Sequence, residues 1–170
     1  TAYEMLRSLV GSEMCIRDRK WKVPNPNAWN MSHASVVPRT LLGKRMYVYA
    51  AAGGLVGVSA DPDSLGQLLW EQNIVGKVVA PSAIPVGDDQ IFATVGYGRG
   101  SRLLKLSESG GKYSVEVVYD KPPSDVLACE QQTPIYHEGL IYGIMPKDAG
   151  SLMGQFVCYK PDGTLVWSSG

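Results

Sequence analysis

A pattern of short apolar runs recurs three times along this chain, at intervals of 45 to 51 residues. In each repeat, a segment rich in small residues and proline precedes a run of β-branched and aromatic residues, as in HASVVP before RMYVYA and APSAIP before QIFATV. Clusters of Gly, Pro, Asp and Ser separate the runs, which predicts strands joined by tight turns rather than helices. Four short strands every 40 to 50 residues or so are typical of repeat folds in which each unit covers its neighbour.

Equivalent positions can be aligned between the repeats. The three repeats share a hydroxyl residue and an aromatic residue, at Ser35, Ser82 and Thr133 and at Tyr47, Phe92 and Tyr142. Each then has an apolar-x-apolar triplet, at residues 56–58, 104–106 and 157–159. In the first and third repeats, a tryptophan (Trp70 and Trp167) lies four residues after a glycine. In the middle repeat, the residue four positions after Gly111 is Val115 and not a tryptophan. The register of the last strand in the middle repeat therefore stays open.

These repeats resemble the blades of pyrroloquinoline-quinone-type (quinoprotein-like) β-propellers. The resemblance implies an all-β fold: a β-propeller fragment of about three four-stranded antiparallel blades plus one closing strand of a preceding blade. The expected blades span about 32–70, 80–120 and 131–167. In that family the closing tryptophan packs between blades, so the resemblance assigns blade docking to Trp21, Trp70 and Trp167, with Trp21 in the preceding blade.

The first nineteen residues carry no such pattern. SLVGSEMCIRDR resembles the translated sequencing-adapter tails found at the ends of metagenomic gene fragments. We therefore expect residues 1–19 to be a non-native segment and residues 20–170 to be a partial propeller, the alternative being a genuine N-terminal helix over AYEMLRSLV. Because propellers have about four to eight blades, three blades imply an internal fragment of a longer protein.

Composition excludes several classes of partner. Lys+Arg and Asp+Glu number 16 each, so no net charge draws the chain to nucleic acid or to an anionic membrane. No apolar run approaches the roughly 20 residues of a transmembrane segment. Cys129 and Cys158 show no metal-ligand spacing with histidine, and either a disulfide or two buried thiols fits the sequence. No metal ligand and no catalytic group is predicted.

Polar residues at the heads of the innermost strands are the candidate ligand site. Glu130, Gln131 and Gln132 lie at that position in the third repeat, and His33 lies there in the first. Because innermost strands line the central channel of a propeller, these side chains either converge on a ligand or cap strand ends in solvent. The GYGRGS loop has no following helix to bind phosphate, so its Tyr97 and Arg99 are candidate partner contacts or plain loop residues.

The resemblance leaves the enzymatic status open and favours a protein that is not an enzyme. Quinoprotein dehydrogenases hold their quinone between a tryptophan and a pair of adjacent cysteines, beside calcium and an aspartate base. This chain has no adjacent cysteines and no aspartate that matches the base, so no cofactor is expected within it, although a full-length protein could bind PQQ and calcium.

Some relatives are scaffolds, including the propeller lipoprotein of the outer-membrane β-barrel assembly machinery. We therefore expect a non-catalytic binding or assembly scaffold whose partner is another protein or the remaining blades. The resemblance places it in the bacterial periplasm or envelope, or outside the cell. The alternatives are a fragment of a PQQ- and calcium-dependent dehydrogenase and a secreted sugar- or polymer-binding propeller.

Overall fold

The computed structural model describes residues 21–74, 76 and 79–170. This part of the chain forms three four-stranded antiparallel sheets, each built from four consecutive strands. Sheet 1 contains β1 (Val37–Leu41), β2 (Lys44–Ala51), β3 (Gly54–Ser59) and β4 (Leu68–Asn73). Sheet 2 contains β5 (Ile84–Val86), β6 (Gln90–Val95), β7 (Gly100–Ser109) and β8 (Lys112–Lys121). Sheet 3 contains β9 (Ile135–His137), β10 (Leu140–Ile144), β11 (Phe156–Tyr159) and β12 (Leu165–Ser168).

The helical content of the described residues is two 3₁₀ turns, Pro62–Ser64 and Gly150–Leu152. For the described residues, the prediction of an all-β fold with three four-stranded antiparallel units is therefore confirmed. The expected domain boundary at residues 19 and 20 lies outside the described residues. Trp21, expected in a closing strand, lies in an irregular segment that reaches sheet 1 through one bridge, between Asn30 and Ala52.

The innermost strands begin later than the small-residue segments predicted. β1, β5 and β9 each start two residues after the aligned hydroxyl residue of their repeat. The segments before these strands are irregular. Pro81 and Pro134 cannot donate to a ladder, and the hydroxyl oxygens of Ser82 and Thr133 accept hydrogen bonds from the backbone of the equivalent segment in the preceding repeat. These segments therefore connect the sheets to one another.

A row of paired residues crosses each sheet and ends in an aromatic side chain. The rows are Val48–Gly57–Trp70, Phe92–Leu103–Tyr119 and Tyr142–Cys158–Trp167. A register shift follows the middle residue of every row, which fixes the equivalence of the three sheets. The row corrects the sequence alignment: Val48, and not Tyr47, is equivalent to Phe92. Since successive residues point to opposite faces, that one-residue error places Tyr47 on the other face.

Tyr119 takes the place in sheet 2 that tryptophan takes in the other two sheets. The sequence alignment put Val115 there, and this was wrong because β7 and β8 are ten residues long, so the aromatic residue follows Gly111 by eight positions instead of four. The same shift makes Leu103, and not Lys105, the equivalent of Gly57. The Tyr119 hydroxyl donates a hydrogen bond, at 3.0 Å, to the carbonyl oxygen of Pro161 in the turn between β11 and β12.

Each sheet has a forward face, which carries the row, and a rear face on the opposite side. The forward face of sheet 1 packs on the rear face of sheet 2, where Ile91, Ala93 and Leu104 are buried. The forward face of sheet 2 packs in the same way on Ile141 and Val157 of sheet 3. Two apolar cores of the same construction thus join three sheets in chain order.

Trp70 sets the local packing of the first core. Its side chain is 4 % exposed, and its Nε1–H points at the sulfur of Met46 at 3.3 Å. The indole covers Gly57, where an added Cβ would lie only 2.1 Å from Nε1. Glycine is therefore required at this row position because the ring lies directly on the backbone.

Substitution of Trp70 by alanine should destabilise the protein far more than the same change at Trp167. Both residues end a row, but Trp70 belongs to the core between sheets 1 and 2, whereas Trp167 is 41 % exposed. A buried large-to-small aromatic change costs about 3 to 5 kcal/mol, part of which is the cavity left behind. Urea denaturation of Trp70→Ala, Trp167→Ala and the exposed-loop control Arg99→Ala checks this. Equal midpoints for Trp70→Ala and Arg99→Ala would contradict the assignment of Trp70 to the inter-sheet core.

Candidate functional site

The three aligned hydroxyl residues form a chain of hydrogen bonds that runs from sheet to sheet. The backbone N–H of Ser35 donates to Ser82 Oγ at 3.0 Å, and the backbone N–H of Ser82 donates to Thr133 Oγ1 at 2.9 Å. We call these three residues the hydroxyl chain. Each lies just before the innermost strand of its sheet, so equivalent points of successive sheets meet at this end.

The segment that leads into sheet 3 is held against sheet 2 by two buried hydroxyl groups. Thr94 Oγ1 accepts from the Cys129 N–H at 2.8 Å, and Ser101 Oγ donates to the Leu127 carbonyl oxygen at 2.7 Å. Thr94 and Ser101 are each 2 % exposed. These bonds occur in a dry environment, so they position the segment firmly and determine where residues 130–132 emerge.

The predicted ligand residues of the third repeat meet the predicted loop contact Tyr97. Gln131 Nε2 donates to the Tyr97 hydroxyl at 3.3 Å, and Glu130 lies so close to Gly96 that a Cβ there would meet its Cγ at 2.6 Å. The Tyr97 backbone has a φ of +63°, and its side chain is half exposed. We call Tyr97, Glu130 and Gln131 the end cluster.

The other two predicted ligand residues, Gln132 and His33, form hydrogen bonds outside the end cluster. Gln132 donates from Nε2 to the carbonyl oxygen of Ile144, the last residue of β10, at 2.8 Å. His33 is exposed, and its backbone N–H donates to the Val79 carbonyl oxygen at 2.9 Å. His33 and Gln131 occupy the same position relative to the hydroxyl chain, two residues before Ser35 and Thr133.

Arg99, which lies in the same β6–β7 loop as Tyr97, lines a small cavity of about 180 Å³. Arg102 and Asp120 line the same cavity as an ion pair, and Arg102 also donates to the Asn73 carbonyl oxygen at 2.9 Å. These bonds tie the outer part of sheet 2 to the end of sheet 1. The cavity therefore contains two guanidinium groups and one carboxylate at the boundary of the two sheets.

The rear face of sheet 1 carries a group of four aromatic side chains that the sequence did not predict. Trp21 stacks on Tyr47 with ring centroids 6.0 Å apart, and Trp29 covers Gly53 and Gly54. An open apolar cavity of about 320 Å³ lies beside these rings, and Tyr49 is also among its lining residues. Neither Trp29 nor Tyr119 stood at an aligned tryptophan position, which is why both were missed.

Cys129 and Cys158 are buried free thiols, so of the two alternatives from the sequence the disulfide is not formed. Cys129 packs against Gly143 on the rear face of sheet 3, where an added Cβ would lie 2.7 Å from its sulfur. Cys158 belongs to the row on the forward face. Thiols on opposite faces of one sheet cannot be bridged without backbone movement.

The described residues contain no cluster of three or more His, Cys, Asp or Glu side chains suited to a metal ion. Neither 3₁₀ turn, nor any other helical stretch in the described ranges, has the length and hydropathy of a bilayer-spanning helix.

A comparison with protein-family models, curated proteins and solved structures finds no match for this chain. The candidate site therefore rests on geometry alone, and its strongest features are the hydroxyl chain and the end cluster.

Protein stability should fall as the pH rises above about 9. Burial raises the pKa of the Cys129 thiol from 9.0 to about 12, and burial also raises the pKa of the Tyr119 phenol above its ordinary 10.0. In the unfolded chain both groups ionise near their ordinary values, whereas the folded chain keeps their protons. The contribution of Cys129 is therefore complete below pH 9 and is lost between about pH 9 and 12.

Urea denaturation from pH 8 to 11 checks this dependence. Cys129→Ala should flatten the decline in the free energy of unfolding, whatever its absolute stability. A Cys15→Ser variant should also resist iodoacetamide at pH 8.5 until it is unfolded. Labelling of Cys129 in the folded protein, or a decline as steep in Cys129→Ala as in the parent chain, would contradict the burial of this thiol.

Proposed function

We propose that the three sheets are blades of a β-propeller that works as a non-catalytic scaffold for a protein partner. The observation that carries the proposal is the hydroxyl chain, because it joins equivalent points of successive sheets at their innermost ends. Blades arranged around a common axis meet in this way. The repeated rows and the forward-to-rear packing of the sheets support the same arrangement.

The end cluster supports the scaffold role. Its residues Glu130 and Gln131 directly follow a segment that two buried hydroxyl bonds hold against sheet 2, and these bonds determine where the two residues emerge. Tyr97 is half exposed, and Arg99 lies beside it in the same loop. Tyrosine and arginine are enriched in protein interfaces, where rigid aromatic contacts cost little conformational entropy. A protein partner is therefore the ligand class that we assign to this surface.

We propose that the protein works in the bacterial envelope or periplasm, which is the location that the family resemblance implies. The two thiols are compatible with that oxidising location because they lie on opposite faces of sheet 3 and cannot pair with each other.

Site-specific photocrosslinking in cells that produce the protein tests the scaffold role. A photoreactive residue at Tyr97 should form an adduct with one protein species. The matched control is the same residue at Lys112, since the β7–β8 turn lies at the opposite end of the sheet from the β6–β7 loop. An adduct at Lys112 and none at Tyr97 would contradict the assignment of the partner to the end cluster.

A cofactor titration separates the scaffold from the dehydrogenase alternative. Addition of PQQ with calcium should leave tryptophan fluorescence without a saturable change, and the mixture should reduce no artificial electron acceptor when an alcohol is supplied. Saturable calcium-dependent quenching together with alcohol-dependent turnover would show a quinoprotein dehydrogenase and would overturn the proposal.

A further inference from the structure

The cavity of about 180 Å³ at the boundary of sheets 1 and 2 has apolar side chains in its lining. Ile74 directly follows the last strand of sheet 1, and Ala93 and Val95 belong to β6 of sheet 2. All three residues are buried, with at most 7 % of their surface exposed. An apolar cavity of about 150 Å³ can hold a benzene molecule, so this cavity has room for one short side chain. We call it the boundary cavity.

The first of its two guanidinium groups has a fixed position. Arg102 pairs with the Asp120 carboxylate through one terminal nitrogen, and the other terminal nitrogen donates to the Asn73 carbonyl oxygen at 2.9 Å. The Arg102 side chain is 18 % exposed. Asp120 therefore neutralises the charge of Arg102, and the two contacts orient the guanidinium before any ligand binds.

The second guanidinium group, that of Arg99, supplies a charge that no carboxylate balances. Arg99 is exposed in the β6–β7 loop and lines the same cavity. Within the described residues, its side chain takes part in no ion pair. Asp148 approaches this loop at Gly98, where an added Cβ would lie 3.4 Å from its Oδ2, but it does not pair with Arg99. The charged residues that line the cavity thus leave one positive charge unmatched.

We infer that the boundary cavity binds the side chain of a glutamate residue. A guanidinium group binds a carboxylate through two parallel N–H···O bonds. One unmatched positive charge suits a singly charged carboxylate, whereas the Asp120 carboxylate repels the second charge of a phosphate group. The apolar lining residues suit the two methylene groups that carry the glutamate carboxylate.

The source of this glutamate is the protein partner of the end cluster. Arg99 and Tyr97 are two residues apart in one loop, so a protein that contacts Tyr97 comes within reach of the cavity. The inference therefore rests on the proposed function, and it deepens that proposal by naming the group that the partner presents.

A titration with two matched probes tests the chemistry of the cavity. The first probe is glutamate with an acetylated amino group and an amidated α-carboxyl group, and the second is the glutamine compound with the same caps. The two have nearly the same shape, but only the first is charged. In NMR spectra of the full chain, the glutamate probe should shift the Arg102 Nε–H signal and the Gly100 amide signal saturably in the millimolar range. The glutamine probe should not.

Two variants of equal charge locate the binding. Arg99→Gln should weaken binding of the glutamate probe by about tenfold or more, because a hydrogen bond between charged groups is lost. Arg45→Gln is the matched control, since Arg45 is also exposed but does not line the cavity. It should bind the probe as the parent chain does. Thermal melting of both variants confirms that they are folded.

Three results of the titration would overturn the inference. The first is equal binding of the glutamate and glutamine probes, and the second is unchanged binding in Arg99→Gln. The third is binding of butanoate, which has the same stem without peptide groups, while the glutamate probe does not bind. That third result would show a site for a small free acid.

Photocrosslinking from Tyr97 in cells then separates this inference from the proposed function. Arg99→Gln should lower the yield of the adduct severalfold, whereas Arg45→Gln should not. An adduct that persists undiminished in Arg99→Gln would overturn the glutamate contact and leave the scaffold standing. A parent chain that forms no adduct, although the glutamate probe binds, would overturn the protein partner and leave a site for a free carboxylic acid.

Discussion

Apolar side chains on both faces of each sheet are the constraint on which this structure depends. A four-stranded sheet with two apolar faces cannot be stable alone, because it would leave one face or both in water. The forward face of sheet 1 is therefore buried against the rear face of sheet 2. The forward face of sheet 2 is buried against the rear face of sheet 3 in the same way, with different side chains. Trp70 and Tyr119 serve the same role with different chemistry. The indole fills the space over a glycine, whereas the phenol bonds to a carbonyl oxygen of the next sheet.

The polar bonds between sheets complement this apolar packing and determine its register. A flat apolar face allows neighbouring sheets to slide, since hydrophobic burial has no direction. The hydroxyl chain removes that freedom at the innermost ends. Thr94 and Ser101 do the same for the segment that enters sheet 3, and so they determine the position of the end cluster. The candidate partner surface is thus a consequence of how the sheets are joined.

Much of the fold could be predicted from the sequence because its signals are local. The sequence alone shows the strand runs, the glycine turns and the regular spacing of Ser35, Ser82 and Thr133. The role of Tyr119 was hidden because longer strands moved it away from the glycine that marks the position in the other repeats. The end cluster could not be predicted because the contact of Tyr97 with Gln131 joins residues 34 positions apart from two sheets.

The proposed propeller requires that the three sheets surround a common axis. Pulsed electron spin resonance can test it with spin labels at Gln67, Glu116 and Thr164, which lie on or beside the outer strands and each precede the row aromatic by three residues. All three are exposed, and Cys15→Ser removes the cysteine outside the described residues while the two buried thiols stay unlabelled. For sheets around a common axis, we expect similar distances for the two neighbouring pairs and a Gln67–Thr164 distance clearly shorter than the sum of those two distances. A distance equal to that sum would show a straight stack of sheets and would contradict the propeller arrangement.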